Sequence, residues 1–220
     1  MWCTSSPLVV TPSQELRAAA REHLRGFDLF VEPRKQWPSG LAAFQPGLPK
    51  GRIAEDERPL IGRALSVVGD GGWGRLVAVG RGDERFSDDL VKASAVLIRD
   101  RWKPHPPPTW VTCVPSMTRP DLAPDFTQRL ADALSLPVYE VVRKIAENQP
   151  QAAMQNSAQQ VRNVWDAFDI DAAAAAPDGP VLLVDDLADS KWTLTVVARA
   201  LRQTGSGPVH PYVLATAIAG

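Results

Sequence analysis

The sequence predicts an α/β protein, a mostly parallel sheet flanked by helices, preceded by a mainly helical N-terminal extension. Three observations carry this. Short apolar runs alternate with stretches of helical periodicity through the second half of the chain. The run "VLLV", residues 181–184, is apolar at every position, as a strand covered on both faces of a parallel sheet must be. The stretch "KPHPPPT", residues 103–109, puts four prolines in seven residues, a stiff extended connector at the point where the pattern changes. The chain is therefore divided into residues 1–105, the extension, and residues 106–220, the α/β domain.

The elements follow in order. "PSQELRAAAREHLRG", residues 12–26, predicts a helix capped by Ser13, favoured by Glu15 in its first turn and stopped at Gly26. "FDLFVEPRKQWPSG" is extended, because Pro33 and Pro38 argue against a helix. Residues 41–52 are loop. A helix is expected from Asp56 to Val68, with Pro59 tolerated in its first turn, and it ends at "GDGGWG". "RLVAV", Arg75 to Val79, is expected as a short strand. A second helix covers Asp83 to Trp102, with Phe86, Leu90, Ala93 and Leu97 on its apolar face.

Beyond the prolines, "TWVTCVPS" is a strand. "DLAPDFTQRLADALSL" is an amphipathic helix with Phe126, Leu130, Ala133 and Leu134 at helical spacing. "PVYEVV" is a short strand. "NSAQQVRNVWDAFDI" is a helical turn with an extended exit, and "DAAAAAPDG" is a surface linker. "WTLTVVARALRQTG" is a helix stopped at Gly205. "PVHPYVLATA" is a last strand, with Pro211 assigning it to an edge or terminal position.

Bulk properties exclude several classes. The net charge is −1 and charged residues make up 22%, so nothing global calls for nucleic acid. No apolar run reaches the roughly 20 residues of a membrane span. The start "MWCTSSPLVV" lacks the form of a signal peptide, and the cytoplasm is the expected location. Cys3 and Cys113 are far apart and suggest neither a disulfide framework nor a zinc site. His23, His105 and His210 lack metal-ligand spacing. Trp37 and Trp73 lie in turns near Arg34, Lys35 and Arg75. They are either buried staples or stacking platforms for single-stranded bases.

The informative stretch is "VLLVDDLADSKWT", residues 181–193. Open parallel sheets bind ligands beyond the C-terminal ends of their strands, and Asp185 and Asp186 stand at such an end. Adjacent carboxylates repel and need a compensating partner, such as a ribose diol or hydrated Mg²⁺. A helix N-terminus follows and attracts phosphate, with Ser190 and Thr193 adding hydroxyls. The competing structural explanation is a strand end with two solvated aspartates and a hydroxyl N-cap.

This stretch resembles the phosphoribosyl diphosphate (PRPP) signature of type I phosphoribosyltransferases. Asp185 and Asp186 match the acidic pair that contacts the ribose, and would be the catalytic carboxylates with an indirect role in holding Mg²⁺. The loop of Asp189, Ser190, Lys191, Trp192 and Thr193 matches the 5′-phosphate cradle. Asp189 stands where a hydroxyl is usual, Lys191 where glycine is usual, and Trp192 fills the variable position. "WVTCVPSMTRPDL" resembles the first core strand and its pyrophosphate loop, which places Ser116, Met117, Thr118 and Arg119 there. "ENQPQAAMQNSAQQVRNVWDAFDI" is similar to a stretch of ComF-type phosphoribosyltransferases, through Pro150, Gln151, Arg162, Asn163, Val164, Ala167 and Phe168. Arg143 and Lys144 precede what is usually a mobile flap over the active site.

From about residue 28 onward the chain also resembles the C-terminal region of a group of bacterial RecQ-family DNA helicases, which carry a similar "DS-basic-WT" loop. Cys3 and Thr4 resemble the last ligand of the preceding zinc module and its neighbour. No G-x-x-x-x-G-K-[ST] loop and no Asp-Glu-x-His box is present, so this chain contains no helicase motor. The resemblance implies a domain that binds PRPP or another ribose phosphate and transfers phosphoribosyl to a base. The alternative it implies is a non-catalytic accessory module in DNA repair that binds DNA or a nucleotide signal beside a RecQ-type helicase.

Overall fold

The computed structural model describes residues 12–44, 47–147, 154, 156–171 and 177–217. Cys3, Thr4, Pro150, Gln151 and most of the "DAAAAAPDG" linker lie outside the described residues.

A five-stranded sheet organises the molecule, in the order β1-β2-β7-β6-β3. These strands are β1 (Leu29–Val31), β2 (Gly62–Val67), β3 (Trp110–Cys113), β6 (Val181–Ala188) and β7 (Val209–Thr216). Only the β1–β2 pairing is antiparallel. A separate antiparallel hairpin joins β4 (Val142–Lys144) to β5 (Phe168–Ile170). The helices are α1 (Gln14–Gly26), α2 (Gly74–Gly82), α3 (Asp88–Val96), α4 (Leu122–Leu134), α5 (Ser157–Trp165) and α6 (Trp192–Gln203).

Strand alternation divides the core into two layers. Leu182, Val184, Tyr212 and Leu214 point to the face covered by α2, α3 and α4. Val181, Leu183, Val209 and Val213 point to the face covered by α6. A third cluster seats Trp37, Leu41, Leu48 and Ile53 against α5 and α6. One sheet and its flanking clusters therefore take strands and helices from both sides of the proline-rich segment.

Most expected elements are present, and α1 forms as predicted, with the Ser13 hydroxyl accepting from Leu16 N–H at 3.2 Å. Two differ outright. Residues 56–68 were expected as a helix, but Gly62–Val67 is strand β2, and residues 75–79 were expected as a strand but lie in helix α2. The reason is tertiary. β2 is covered on both faces, so Ala64, Leu65 and Ser66 are all buried and no alternation shows. The turn between β2 and α2 is held by Asp70, whose carboxylate accepts from Val67, Gly72 and Gly74 N–H. The helix expected over 83–102 begins at Asp88 and continues beyond α3 as a π-helical stretch, Leu97–Trp102.

The assignment of Pro211 to an edge is also corrected. β7 lies between β2 and β6. The Pro211 carbonyl faces Gly62, where an added Cβ would lie 2.2 Å from the oxygen. A residue's N–H and C=O point to the same side of a strand, so the donor that Pro211 lacks falls where β2 is only beginning.

Candidate functional site

The site forms where β6 outruns β3. β3 pairs with β6 only as far as Cys113 opposite Val184. On its other edge β6 stays paired to β7 as far as Ala188 opposite Thr216. Asp185 and Asp186 were expected at the strand end. They lie inside the strand, at the first positions beyond the reach of β3.

The two carboxylates remain close enough to interact and line the same cavities. Asp186 turns toward the α2 face and forms an ion pair with Arg81 Nη1. Asp185 is buried, and its Oδ1 accepts from Asp186 N–H at 2.8 Å. Burial, reinforced by the neighbouring Asp186 charge, raises Asp185 well above the usual carboxylate range.

Two adjoining cavities share Arg81, Asp185, Asp186 and Thr193. One, of about 170 Å³, lies under the loop after β3 and is lined by Ser116, Thr118 and Arg119, with Lys144 and Phe168 from the β4–β5 hairpin. The Ser116 hydroxyl accepts from Arg119 N–H at 3.3 Å and lies 3.1 Å from the Thr118 hydroxyl, which shapes this loop. Burial lowers the Lys144 pKa, and Asp185 and Glu147 oppose that shift. The other cavity, of about 300 Å³, is bounded by the Asp189, Ser190 and Lys191 loop.

The loop before α6 takes its shape from distant residues. Lys191 is left-handed, with φ 67°, and no side chain caps α6 from that position. This explains structurally why glycine suits the position. Arg34 donates to the Ser190 carbonyl from Nε at 3.0 Å and from Nη2 at 2.7 Å. Its guanidinium also lies 5.1 Å from the Trp192 ring centroid. Trp192 is 2% exposed and stacks on Trp37, with centroids 5.9 Å apart and planes 16° apart. Trp37 is thus a buried staple, the first of the two options its sequence context offered. Trp73 is half-buried under Arg25, 3.9 Å from the ring centroid.

No model of a known protein family matches the chain, and no curated protein matches it. Among solved structures the chain is similar to adenine phosphoribosyltransferase from Trypanosoma brucei, solved in complex with AMP, pyrophosphate and ribose-5-phosphate. That match has 13% identity, covers 93% of this chain and 81% of the other, and has a TM-score of 0.43. The chain is also similar to adenine phosphoribosyltransferase from Leishmania tarentolae, at 13% identity over 60% of this chain and 72% of that one, TM-score 0.39. A third similar structure is orotate phosphoribosyltransferase from Aeropyrum pernix, at 19% identity over 64% and 63%, TM-score 0.36.

Of the residues singled out from sequence, Ser116, Thr118, Arg119, Asp185, Asp186 and Thr193 line the first cavity. Asp189, Ser190 and Lys191 line the second. Met117 is exposed and lines neither, and Trp192 supports the loop from within the core. Within the hairpin, Lys144 faces the cavity while Arg143 forms an ion pair with Asp171 at 2.5 Å. Sequence reasoning missed Arg81 as a site residue. Arg81 lies between the strand expected over 75–79 and the helix expected from Asp83, and its partner lies 105 positions away. Arg34 entered only as a candidate nucleic-acid contact, with no sign of its hold on Ser190.

Among the described residues, no group of three or more His, Cys, Asp or Glu side chains is arranged to hold a metal, and no helix is long and apolar enough to cross a membrane.

Proposed function

We propose that the chain is a phosphoribosyltransferase-type domain whose paired cavities bind a ribose phosphate such as PRPP. One observation carries this: Asp185, Asp186 and Thr193 line both adjoining cavities, and Ser190 and Lys191 of the loop before α6 line the second. Asp185 and Asp186 take the ribose hydroxyls, with Asp186 exchanging its Arg81 bond for the diol. Ser190, Lys191, Thr193 and the α6 N-terminus take the 5′-phosphate. Ser116, Thr118, Arg119 and Lys144 surround the diphosphate. Mg²⁺ fits as a cation that arrives with the ligand. Two carboxylates make an incomplete protein cage, and Asp185 has no cationic side chain at ion-pair distance among the described residues. It would neutralise diphosphate charge beside Asp185 and Asp186. In transfer to a base, the C1–O bond to pyrophosphate breaks as a C1–N bond forms, and the proton displaced from nitrogen goes to solvent. The protein's contribution is positioning and charge stabilisation.

Calorimetric titration with PRPP, with and without Mg²⁺, tests this. Binding that is lost in Asp186→Asn is the expected result. Equal affinity in both proteins, or none at millimolar ligand, refutes the assignment.

A second reading is a non-catalytic accessory module that binds DNA or a nucleotide signal, in the context of a RecQ-type helicase. It is favoured by the Arg81–Asp186 pair, which satisfies one carboxylate internally, and by the exposed Asp189 at the phosphate loop. Arg34 is committed to Ser190, so a DNA surface on this side would rest on Lys35 and Arg75, both exposed. Salt-dependent DNA binding weakened by Lys35→Ala and Arg75→Ala supports this reading, and absence of binding at low salt removes its DNA form.

A further inference from the structure

We infer that an apolar cavity on the far side of Arg81 is a subsite for a flat apolar ring bearing a carboxylate, and that Arg81 selects that ligand. The subsite stands on its own geometry, and only its coupling to the acidic pair rests on the ribose-phosphate reading. The cavity lies between the end of β2, helix α2 and the ends of β6 and β7. Val68, Val77, Ala78, Leu187 and Ala215 form its apolar walls, and its volume is about 240 Å³. A cavity of about 150 Å³ accepts benzene, so a single ring with one substituent fits this space. Val68 is 52% exposed at the rim, apolar surface that a bound ring would cover.

Among the described residues that line this cavity, Arg81 supplies the only charge. Its side chain is 28% exposed and also borders both cavities that contain the carboxylates, so it forms the partition between them. A guanidinium has five donors, and the Asp186 bond uses Nη1 alone. Arg81 borders this cavity beside its apolar walls, and a charge interaction there is stronger than in open water. The planar fork of donors matches a carboxylate. A cationic ring is repelled there, and a neutral ring gains the apolar walls without the ion pair. The complementary ligand is therefore an aromatic carboxylate with its acid group toward Arg81.

Asp186 competes for the same guanidinium. A diol that occupies Asp186 frees Arg81, so ribose phosphate and aromatic carboxylate strengthen each other's binding. Asp186→Asn has the same effect without a sugar, which separates the two readings.

The probes are benzoate, benzamide and benzylamine, added to the full chain and followed by methyl chemical shifts. In Asp186→Asn, benzoate is expected to bind about tenfold more tightly than benzamide. Benzylamine is expected not to bind, and the shifts should map to Val68, Val77 and Leu187. In Asp186→Asn with Arg81→Gln, the preference for benzoate disappears. Equal binding of benzoate and benzamide to Asp186→Asn, binding of neither, or shifts elsewhere overturns the inference. These readouts do not depend on the Arg81→Gln protein folding. Ribose 5-phosphate is titrated separately into the wild type. Its failure alongside selective benzoate binding refutes the ribose reading and leaves the subsite. Its binding without benzoate selectivity in Asp186→Asn refutes the subsite alone.

Discussion

Lys191 pays a conformational cost that its neighbours impose. Its φ of 67° is the left-handed region, where a Cβ costs about 1–2 kcal/mol. Lys191→Gly is expected to raise thermal stability by about 1 kcal/mol, net of the freedom glycine adds to the unfolded chain. An unchanged or lower melting temperature would mean that the lysine side chain contributes contacts that outweigh the strain. Asp185 gives a second residue-level prediction. Burial and Asp186 raise its pKa in the folded state, so the folded protein holds a proton that the unfolded chain releases. Stability from this group is complete below the ordinary carboxylate pKa and is lost as pH rises toward the raised value. Asp185→Asn can still accept from the residue 186 N–H and carries no charge. It should be more stable than wild type at about pH 8 and converge with it near about pH 3. A constant difference across that range would remove the assignment. Cys113 is buried, and its pKa is pushed up to about 12 by desolvation. Thiol reagents should leave it unmodified until the protein unfolds.

Elements are set by where they pack, and two glycines show it. Gly62 lies against Pro211, where a Cβ would meet the carbonyl oxygen at 2.2 Å. Gly62→Ala must push β2 away from β7, and we expect about 1–3 kcal/mol of destabilisation in denaturant melts. An unperturbed melt would mean that the strand ends adjust freely. Gly80 sits in α2 because a Cβ there would come within 2.7 Å of Phe86 Cδ1. That glycine weakens the local helical signal, which is why residues 75–79 read as a strand. The opposite error over 56–68 has the same origin, since full burial of β2 hides its alternation. The loop before α6 is likewise held by another element. Arg34 makes two hydrogen bonds to Ser190, and lysine cannot reproduce that planar geometry. Arg34→Lys should weaken ribose 5-phosphate binding with little change in melting temperature, and unchanged affinity would mean the loop keeps its shape unaided.

At the scale of the whole molecule, the proline-rich segment 103–109 marks a change in sequence character while the sheet continues across it. β7 pairs with β2 on one edge and β6 on the other, and Tyr212 reaches back to the Ser94 hydroxyl at 2.5 Å. Arg199 bonds Glu57 at 3.1 Å and Arg202 bonds the Asp56 carbonyl at 2.6 Å, adding further ties across the boundary. A fragment of residues 106–220 would expose the β2 edge of β7 and the faces covered by α2 and α3. We expect it to unfold without a cooperative transition, and a sharp melt would show that the second half folds alone.

The α/β class, the buried strand that carries Asp185 and Asp186, the loop through Lys191 and the helix after it are all legible in the sequence. Those features are local, since periodicity, breakers and adjacent charges lie within a few residues of one another. Which cations meet the carboxylates, where Pro211 sits, and which segment near residues 56–82 is strand or helix all depend on tertiary packing. Arg81 and Asp186 lie 105 positions apart, and Arg34 and Ser190 lie 156 apart. No periodicity encodes such pairings. They follow from the packing of α2 and the N-terminal segment against the finished sheet.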